Sequence, residues 1–495
     1  MDREGNKIMT QHFHWINWAI VAAYLAVVAG IGFWFMRRNK TAETYFKGEG
    51  DLPWWAVSLS LYAALFSSIT FLSIPALVYS SNMTYFAITF GQILVVPIAV
   101  KWYLPFFRKL NLTSAYEYLE LRFNLGCRLF ASTAFILFMI ASIAVIVYLP
   151  AIALSAVTGM NVNLAIAVVV GVTILYCALG GIEAVVWSDF LQGLLLLFAI
   201  VFILCMVIFT TGGGFAGFVK LGIEGGKFHT FDFSFDWAKP CFWVVLIGGT
   251  VANFASYTSD QRVVQRYMTT KDLEGATKSC YSELVLSFIT SFVCFVIGVG
   301  LWTFYKSHPD IVPGITKTDQ ILPVYIAKQL PNGVSGLIFA AIAAATVSTL
   351  AANMNSSASA FTTDFYDRLF RGKNKLLCAR VCTVLTGLLG GGFALYLANH
   401  DIYSIFDEFQ RYLGILTAGL GSLFFMGIFM KRVNGFGALV GLVANYVVTF
   451  GLNAVEFDGR PHLLLFGFFG MLVCTVVAPI ASAFARAPVA KENGK

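Results

Sequence analysis

Apolar residues along this chain come in long unbroken runs, and charged residues collect in the gaps between them. Thirteen runs are long enough to cross an apolar layer as helices: 15–36, 54–79, 85–106, 129–158, 162–180, 184–212, 240–258, 281–304, 332–363, 376–398, 402–429, 434–452 and 463–485. A helix rises about 1.5 Å per residue, so about 20 residues span a hydrocarbon core of about 30 Å. The runs lack the strict alternation of membrane β-strands. Where water cannot reach the backbone, helices and closed barrels alone satisfy its polar groups. The pattern therefore predicts an all-α integral membrane protein with about 13 transmembrane helices. We divide the chain into a leading helix (1–36), a first set of five core helices (54–212), a second set of five (240–429), two trailing helices (434–485) and a tail (486–495).

Composition agrees with a chain whose solvent is lipid. Of 495 residues, 58% are hydrophobic and 12% charged, about half the charge fraction usual in soluble domains. The net charge of +7 would suit a nucleic-acid binder, but the positions of the charges argue otherwise. With the N-terminus outside, nineteen Lys and Arg fall on the cytoplasmic loops between spans and seven on the external loops, as the positive-inside rule requires. This orientation puts the C-terminus in the cytoplasm and places the protein in the cell membrane. The first run is followed by Arg37, Arg38 and Lys40 and lacks a small-x-small cleavage pattern, so it reads as a retained helix and not a signal peptide. The nine cysteines are scattered and read as small packing residues. Within 111–128, Thr113 or Ser114 followed by Glu117 has the form of a capping box and predicts a short cytoplasmic helix.

Two core helices carry polar and small residues in mid-span. The first holds Ala63 to Phe71 with Ser67, Ser68 and Thr70, then Ser73 and Pro75; the sixth holds Gly248 to Thr258 with Thr250, Asn253 and Ser256. Either close helix packing or local unwinding accounts for each alone. Together they occupy matching places, five helices apart and opposite in sense, and interrupted helices at matching places mark the binding site of a secondary transporter. On the eighth core helix Ala345, Ser348 and Thr349 share one face. That face serves equally for packing or, with freed carbonyls, as hard-oxygen ligation of an alkali cation.

The chain resembles the sodium/solute symporter family, which includes bacterial galactose and sialic acid transporters and animal sodium–glucose cotransporters. The resemblance runs through LPWWAV (52–57), SSITFLSIPA (67–76), SAYEYLELRF (114–123), GGIEAVVWSDFLQG (180–193), VVQRY (263–267), AAATVSTLAANMNSSASAFTTDFY (343–366) and FMGIFMKR (425–432). It implies a five-plus-five inverted repeat with an amino-acid-transporter-like core and broken first and sixth core helices. It implies a sodium site at the carbonyls of Ala63 and Phe66 with Ala345, Ser348 and Thr349, and an ion-pathway carboxylate at Asp189, which we read as a lone intramembrane acid. It places Ser67, Thr70, Gln92, Asn253 and Gln410 around a central solute cavity. The sequence departs from the sialic acid branch at several positions. Ala351 and Ala352 stand where that branch has a second sodium site, Ser142 where it has an arginine, and Leu65 where it has a threonine. Ser256 stands where the sugar transporters have a tyrosine gate. Arg262 and Arg411 are the remaining candidates for a solute-binding cation.

The resulting expectation is a sodium-coupled secondary active symporter. It imports a small polar organic solute, a sugar or sugar acid with sialic acid among the candidates, by alternating access with one sodium per cycle. The alternative is a sodium symporter for a small carboxylate or other organic anion; the rival of another class is a passive channel. Sodium is the coupling ion and no cofactor is expected. The partners are the solute, sodium and the lipid bilayer, with no nucleic acid, and the monomer is the functional unit. A proton-driven carrier would want a chain of intramembrane carboxylates or histidines, and Asp189 looked nearly alone. No enzyme is expected, since no nucleophile–base pair or HExxH motif is present. One charge falling through 100 mV releases about 2.3 kcal/mol, and a tenfold sodium gradient adds about 1.4 kcal/mol. The sum supports accumulation of a neutral solute on the order of several hundred-fold; an anion forfeits the electrical part.

Overall fold

The computed structural model describes residues 13–36, 41–48, 50–110, 112–311, 314–315, 317–400 and 405–485. Arg37, Arg38, Lys40, the first residues of the run 402–429 and the tail 486–495 lie outside them. The described residues are helical, with one isolated bridge between Leu52 and Thr270. We name the principal helices α1 (Trp15–Met36), α2 (Trp54–Leu65 and Ile69–Ser80), α3 (Met83–Leu110), α4 (Leu125–Thr158), α5 (Val162–Thr210), α6 (Phe242–Ser259), α7 (Gln261–Tyr267), α8 (Leu273–Ser307), α9 (Val334–Phe370), α10 (Lys375–Ala398), α11 (Ile405–Phe429), α12 (Gly435–Ala454) and α13 (Leu463–Phe484).

Ten of these helices are long and apolar enough to cross a membrane, and the two halves of α2 make an eleventh candidate, bent by 63°. Two places bear on the expected count of thirteen. The expected spans 162–180 and 184–212 are the two arms of α5, 49 residues in all, which meet at a non-helical kink at Gly181, whose φ of 60° and ψ of −163° suit a residue without Cβ. The sixth core span, α6, has 18 residues and is too rich in small and hydroxyl-bearing ones to stand among the ten. Large apolar side chains such as Phe198, Val201, Leu388 and Leu389 are exposed on the outside of the bundle, as lipid contact permits.

α9 is the axis of the molecule. From Ile338 to Ala360 nearly every residue is buried, and α1, α4, α5 and α10 pack around it. Its run of alanines and hydroxyls lets those backbones come close, which is how helices associate where the surrounding solvent is as apolar as leucine.

α2 breaks where the sequence placed the break. Phe66, with φ −84° and ψ 97°, leaves the helix, and the chain re-enters through a π-turn at Ile69–Ser73 before Pro75, which has no N–H to offer. Local hydroxyls stand in for the lost ladder: Ser67 Oγ accepts from the Ile69 amide at 3.2 Å, and Ser68 Oγ donates to the Ile146 carbonyl of α4 at 2.9 Å.

The sixth core helix also breaks, but beyond the segment named from the sequence. α6 is continuous through Gly248 to Thr258 and ends at Asp260 (φ −79°, ψ 120°), which caps α7 by accepting from the Arg262 amide. Its polar residues are satisfied within the helix: Thr250, Ser256 and Thr258 donate to carbonyls four residues back, as does the Asn253 amide. Its glycines serve close packing. A Cβ on Gly249 would lie 2.6 Å from Ile88 Cγ1, and one on Gly91 of α3 would lie 2.6 Å from the Thr250 nitrogen. Packing and not unwinding thus explains Gly248–Thr258.

The short helix expected in 111–128 is present as Glu117–Arg122. Glu117 Oε1 reaches back to the amides of Thr113 and Ser114, as a capping box predicts. The Ser114 hydroxyl turns instead to Asp364 at 2.8 Å, tying this helix to the end of α9.

Candidate functional site

The break in α2 opens onto a central cavity of about 200 Å³. α2, α3, α4, α6, α8, α9 and α11 contribute to its wall. All five residues expected around a solute line it: Ser67 and Thr70 from the α2 break, Gln92 from α3, Asn253 from α6 and Gln410 from α11. Ser142, Ser256 and Leu65, the positions of departure from the sialic acid and sugar patterns, line it too. Phe406, Phe409, Ile74 and Ile146 supply apolar surface. An apolar cleft with a few convergent hydrogen-bonding groups is the usual form of a small-molecule site.

Beside this cavity, α9 meets the last turn of α2 before its break. Ser348 Oγ donates to the Ala63 carbonyl at 2.9 Å and Thr349 Oγ1 to the same oxygen at 3.3 Å. Both hydroxyls also approach the Ala345 carbonyl, at 3.3 and 3.0 Å. Four of the five expected sodium ligands therefore converge on one buried spot made of two carbonyl and two hydroxyl oxygens. Among the described residues Phe66 shares no hydrogen bond with these four; it lines the cavity and packs on Tyr62. Thr349 belongs to both places, since it also lines the cavity. Hard oxygens without a carboxylate suit a monovalent cation, and among the described residues no group of three His, Cys, Asp or Glu is placed to hold a metal ion. Ala351 and Ala352, both buried, offer no hydroxyl on the adjoining face.

Asp189 is not the solitary carboxylate of the sequence reading. It is fully buried, accepts from Ser60 Oγ at 2.7 Å, and pairs with Arg266 Nη2 at 2.8 Å; Arg266 Nε also donates to Ser60. VVQRY carries the partner, but spacing along the chain could not show that α7 folds back under the α2 break. A second buried carboxylate went unnoticed. Glu283 of α8 accepts hydrogen bonds from Tyr257, Ser287 and Gln92. It stands at the start of the run 281–304, and only the fold turns it toward α3 and α6.

Neither arginine candidate is a free cation facing the cavity. Arg262 lines the cavity but its guanidinium is held by both oxygens of Asp260, and its Nη1 donates to Asn353 Oδ1 at 3.0 Å. Asn353 in turn donates to Ser142 Oγ at 3.2 Å. Arg411 pairs with Glu408 at 3.1 Å and is not part of the cavity wall. The wall thus offers neutral hydrogen-bonding groups, with the charges beneath it paired to each other.

Comparison with known proteins adds the following. Residues 45–445 match the profile of the sodium:solute symporter family. The chain is 35% identical over 487 residues to a sodium/sialic acid symporter of Aliivibrio fischeri, covering 98% of this chain and 95% of that one. It is 35% identical to a sodium/sialic acid symporter of Proteus mirabilis, covering 94% and 96%. Among solved structures, a Na+-coupled sialic acid symporter in a substrate-bound outward-open state superposes with a TM-score of 0.89 at 34% identity, covering 96% of this chain and 99% of that one.

Proposed function

Because the chain belongs to the sodium:solute symporter family and couples sodium to solute transport across a membrane, we propose that its solute is a sugar or sugar acid, carried inward with one sodium per cycle. The observation that supports this is the cavity itself: neutral hydrogen-bonding side chains around about 200 Å³, bordered through Thr349 by one cluster of carbonyl and hydroxyl oxygens. We assign sodium to Ala63, Phe66, Ala345, Ser348 and Thr349, and solute to Ser67, Thr70, Gln92, Asn253 and Gln410. The two relatives named above act on sialic acid, which makes N-acetylneuraminate the first solute to try.

In this reading sodium enters from outside and draws the α2 break onto α9. It acts only through its greater affinity for the outward-facing form. Solute then fills the cavity, and helices drawn from both inverted repeats, 54–212 and 240–429, rock to expose it inward. The layer beneath the cavity, Asp260–Arg262–Asn353 and Asp189–Arg266–Ser60, is the inner closure that must part. Asp189 lies in that layer, on the path sodium leaves by. The N-terminus faces outside, the tail lies in the cytoplasm, and the monomer is the working unit.

The experiment is sodium-stimulated uptake of N-acetylneuraminate, D-galactose and L-lactate into proteoliposomes with an imposed potential. One of the first two is expected to be taken up with a Hill slope for sodium near one. L-lactate as the sole transported solute supports the alternative, a carboxylate carrier. A slope near two with two charges moved per solute refutes the one-sodium reading.

A further inference from the structure

The sequence reading left Glu283 without a role, and the geometry gives it one. We propose that Glu283 is a positioning residue that fixes the orientation of the Gln92 amide, so that the cavity wall there presents a hydrogen-bond acceptor and selects solutes bearing hydroxyl or N–H groups over small carboxylates. The proposal rests on the sodium symport reading above and deepens it.

Gln92 Nε2 donates to the Tyr257 hydroxyl oxygen at 2.5 Å and to Glu283 Oε1 at 3.3 Å. The Tyr257 hydroxyl donates to Glu283 Oε2 at 2.5 Å, and Ser287 Oγ donates to Glu283 Oε1 at 2.5 Å. An ionised carboxylate only accepts, so in that state Glu283 sets the direction of every bond in the cluster. Tyr257 spends its proton on Glu283 and must accept from Gln92. Both hydrogens of the Gln92 amide are spent behind the wall. An amide orientation is assigned from such a network and not observed directly, and here the carboxylate decides it. What remains for the cavity is the Gln92 carbonyl oxygen, which takes no hydrogen bond among the described residues, while Gln92 lines the cavity.

The neighbours on this wall point the same way. Thr89 donates to the Phe86 carbonyl, Ser256 to the Ala252 carbonyl and Ser287 to Glu283. Each hydroxyl oxygen keeps its lone pairs uncommitted by that bond, and each of the three residues lines the cavity. Asn253 keeps one amide hydrogen after donating to Gly249, and Ser291 keeps its hydroxyl. A hydroxyl-rich solute finds acceptors here. A carboxylate set against the same surface meets lone pairs, and unpaired buried polar groups are what sharp discrimination is built from.

A protonated Glu283 would permit the opposite chain, in which it donates to Tyr257, Tyr257 donates to the Gln92 carbonyl, and the Gln92 amide N–H faces the solute. The first test therefore needs no solute. Infrared difference spectra of the purified wild type against Glu283→Gln at neutral pH are expected to show no stretch from a protonated carboxyl group; such a stretch overturns the proposal. The second test is uptake of N-acetylneuraminate at saturating sodium. Glu283→Gln, whose side-chain amide can face Gln92 either way, is expected to raise KM about tenfold, with Vmax and half-saturating sodium within twofold of wild type. In a Gln92→Leu background the same change is expected to add less than twofold, because its effect runs through Gln92. An equal rise in KM in both backgrounds, or no rise in either, overturns the proposal. Tyr257→Phe is the second variant, should Glu283→Gln fail to fold, and carries the same expectation. If N-acetylneuraminate is not transported, D-galactose takes its place. Sodium-stimulated uptake of L-lactate in place of both overturns the acceptor wall and leaves sodium symport standing. Absence of sodium stimulation for all three fails the symport reading, and the infrared result then decides the orientation of the wall by itself.

Discussion

Removing the two hydroxyls of α9 tests the sodium assignment most directly. Ser348→Ala and Thr349→Val each delete one oxygen, and the valine keeps the shape of the threonine. In the structure the two hydroxyls lie 2.9 and 3.3 Å from the Ala63 carbonyl, so both reach the same spot and an ion there would touch both. A hydrogen-bonding group acting on a full charge contributes about 1.5–3 kcal/mol, and 1.4 kcal/mol is a factor of ten. Each single change is therefore expected to raise half-saturating sodium about tenfold or more, and the double change at least about a hundredfold. The neutral bonds lost to Ala63 and Ala345 contribute about 1 kcal/mol each to folding, so the protein should still fold. The assay is uptake against sodium concentration, paired with thermal unfolding in sodium and in choline. A ligand at a hundred times its Kd stabilises the folded state by about 2.7 kcal/mol; the double variant should lose that gain while its melting temperature in choline changes little. Unchanged sodium dependence in the double variant refutes the site. So does a rise in solute KM with no rise in half-saturating sodium, because Thr349 borders the cavity and would then act on solute alone.

Three further outcomes are expected. Arg266→Gln leaves Asp189 buried without its cation and is expected to cost about 3–5 kcal/mol of stability; adding Asp189→Asn should restore part of it, as read by thermal unfolding in detergent. Gly91→Ala puts a methyl group 2.6 Å from the Thr250 nitrogen; forcing α3 and α6 apart should cost about 1–3 kcal/mol and sharply reduce uptake, whereas the same change at Gly171, with open space around it, should do neither. Glu120 lies in the short helix Glu117–Arg122, and its carboxyl is held below the usual range, chiefly by its hydrogen bond from Arg368 and further by Arg128. A depressed carboxylate contributes stability that is complete above its unfolded-state pKa and disappears as pH falls through the lower folded-state value. Unfolding followed from neutral to acid pH should show that loss in wild type and not in Glu120→Gln.

What the sequence made legible depended on whether the signal was local. Span positions follow from apolar runs, and the α2 break follows from residues adjacent in the chain, Phe66 to Pro75. The convergence of Ala63 with Ser348 and Thr349 came through the resemblance and is visible in the geometry. Asp189 looked lone because Arg266 is 77 positions away, and nothing in either segment announces a pair that forms only when α7 folds under α2. Glu283 was missed for the same reason, its partners lying on three different helices. The mid-span residues of α6 misled because glycine and hydroxyls serve two purposes in a membrane, unwinding and close approach. Which purpose holds depends on whether a neighbouring backbone is at hand, and here α3 is.

The glycine contact between α3 and α6 bears on how such a machine divides into moving parts. With Gly91 against Thr250 and Gly249 against Ile88, these two helices mesh backbone to backbone, and Glu283 pins α8 to both through Gln92 and Tyr257. Three rods cross-braced in this way travel as one slab. Any shear during the transport stroke then falls outside these three rods, as where α6 meets α11 and where the α2 break meets α9. On the site assignments proposed above, a solute hydroxyl held by Gln92 rides with the slab while sodium at Ser348 bridges one of the contacts left free to slide.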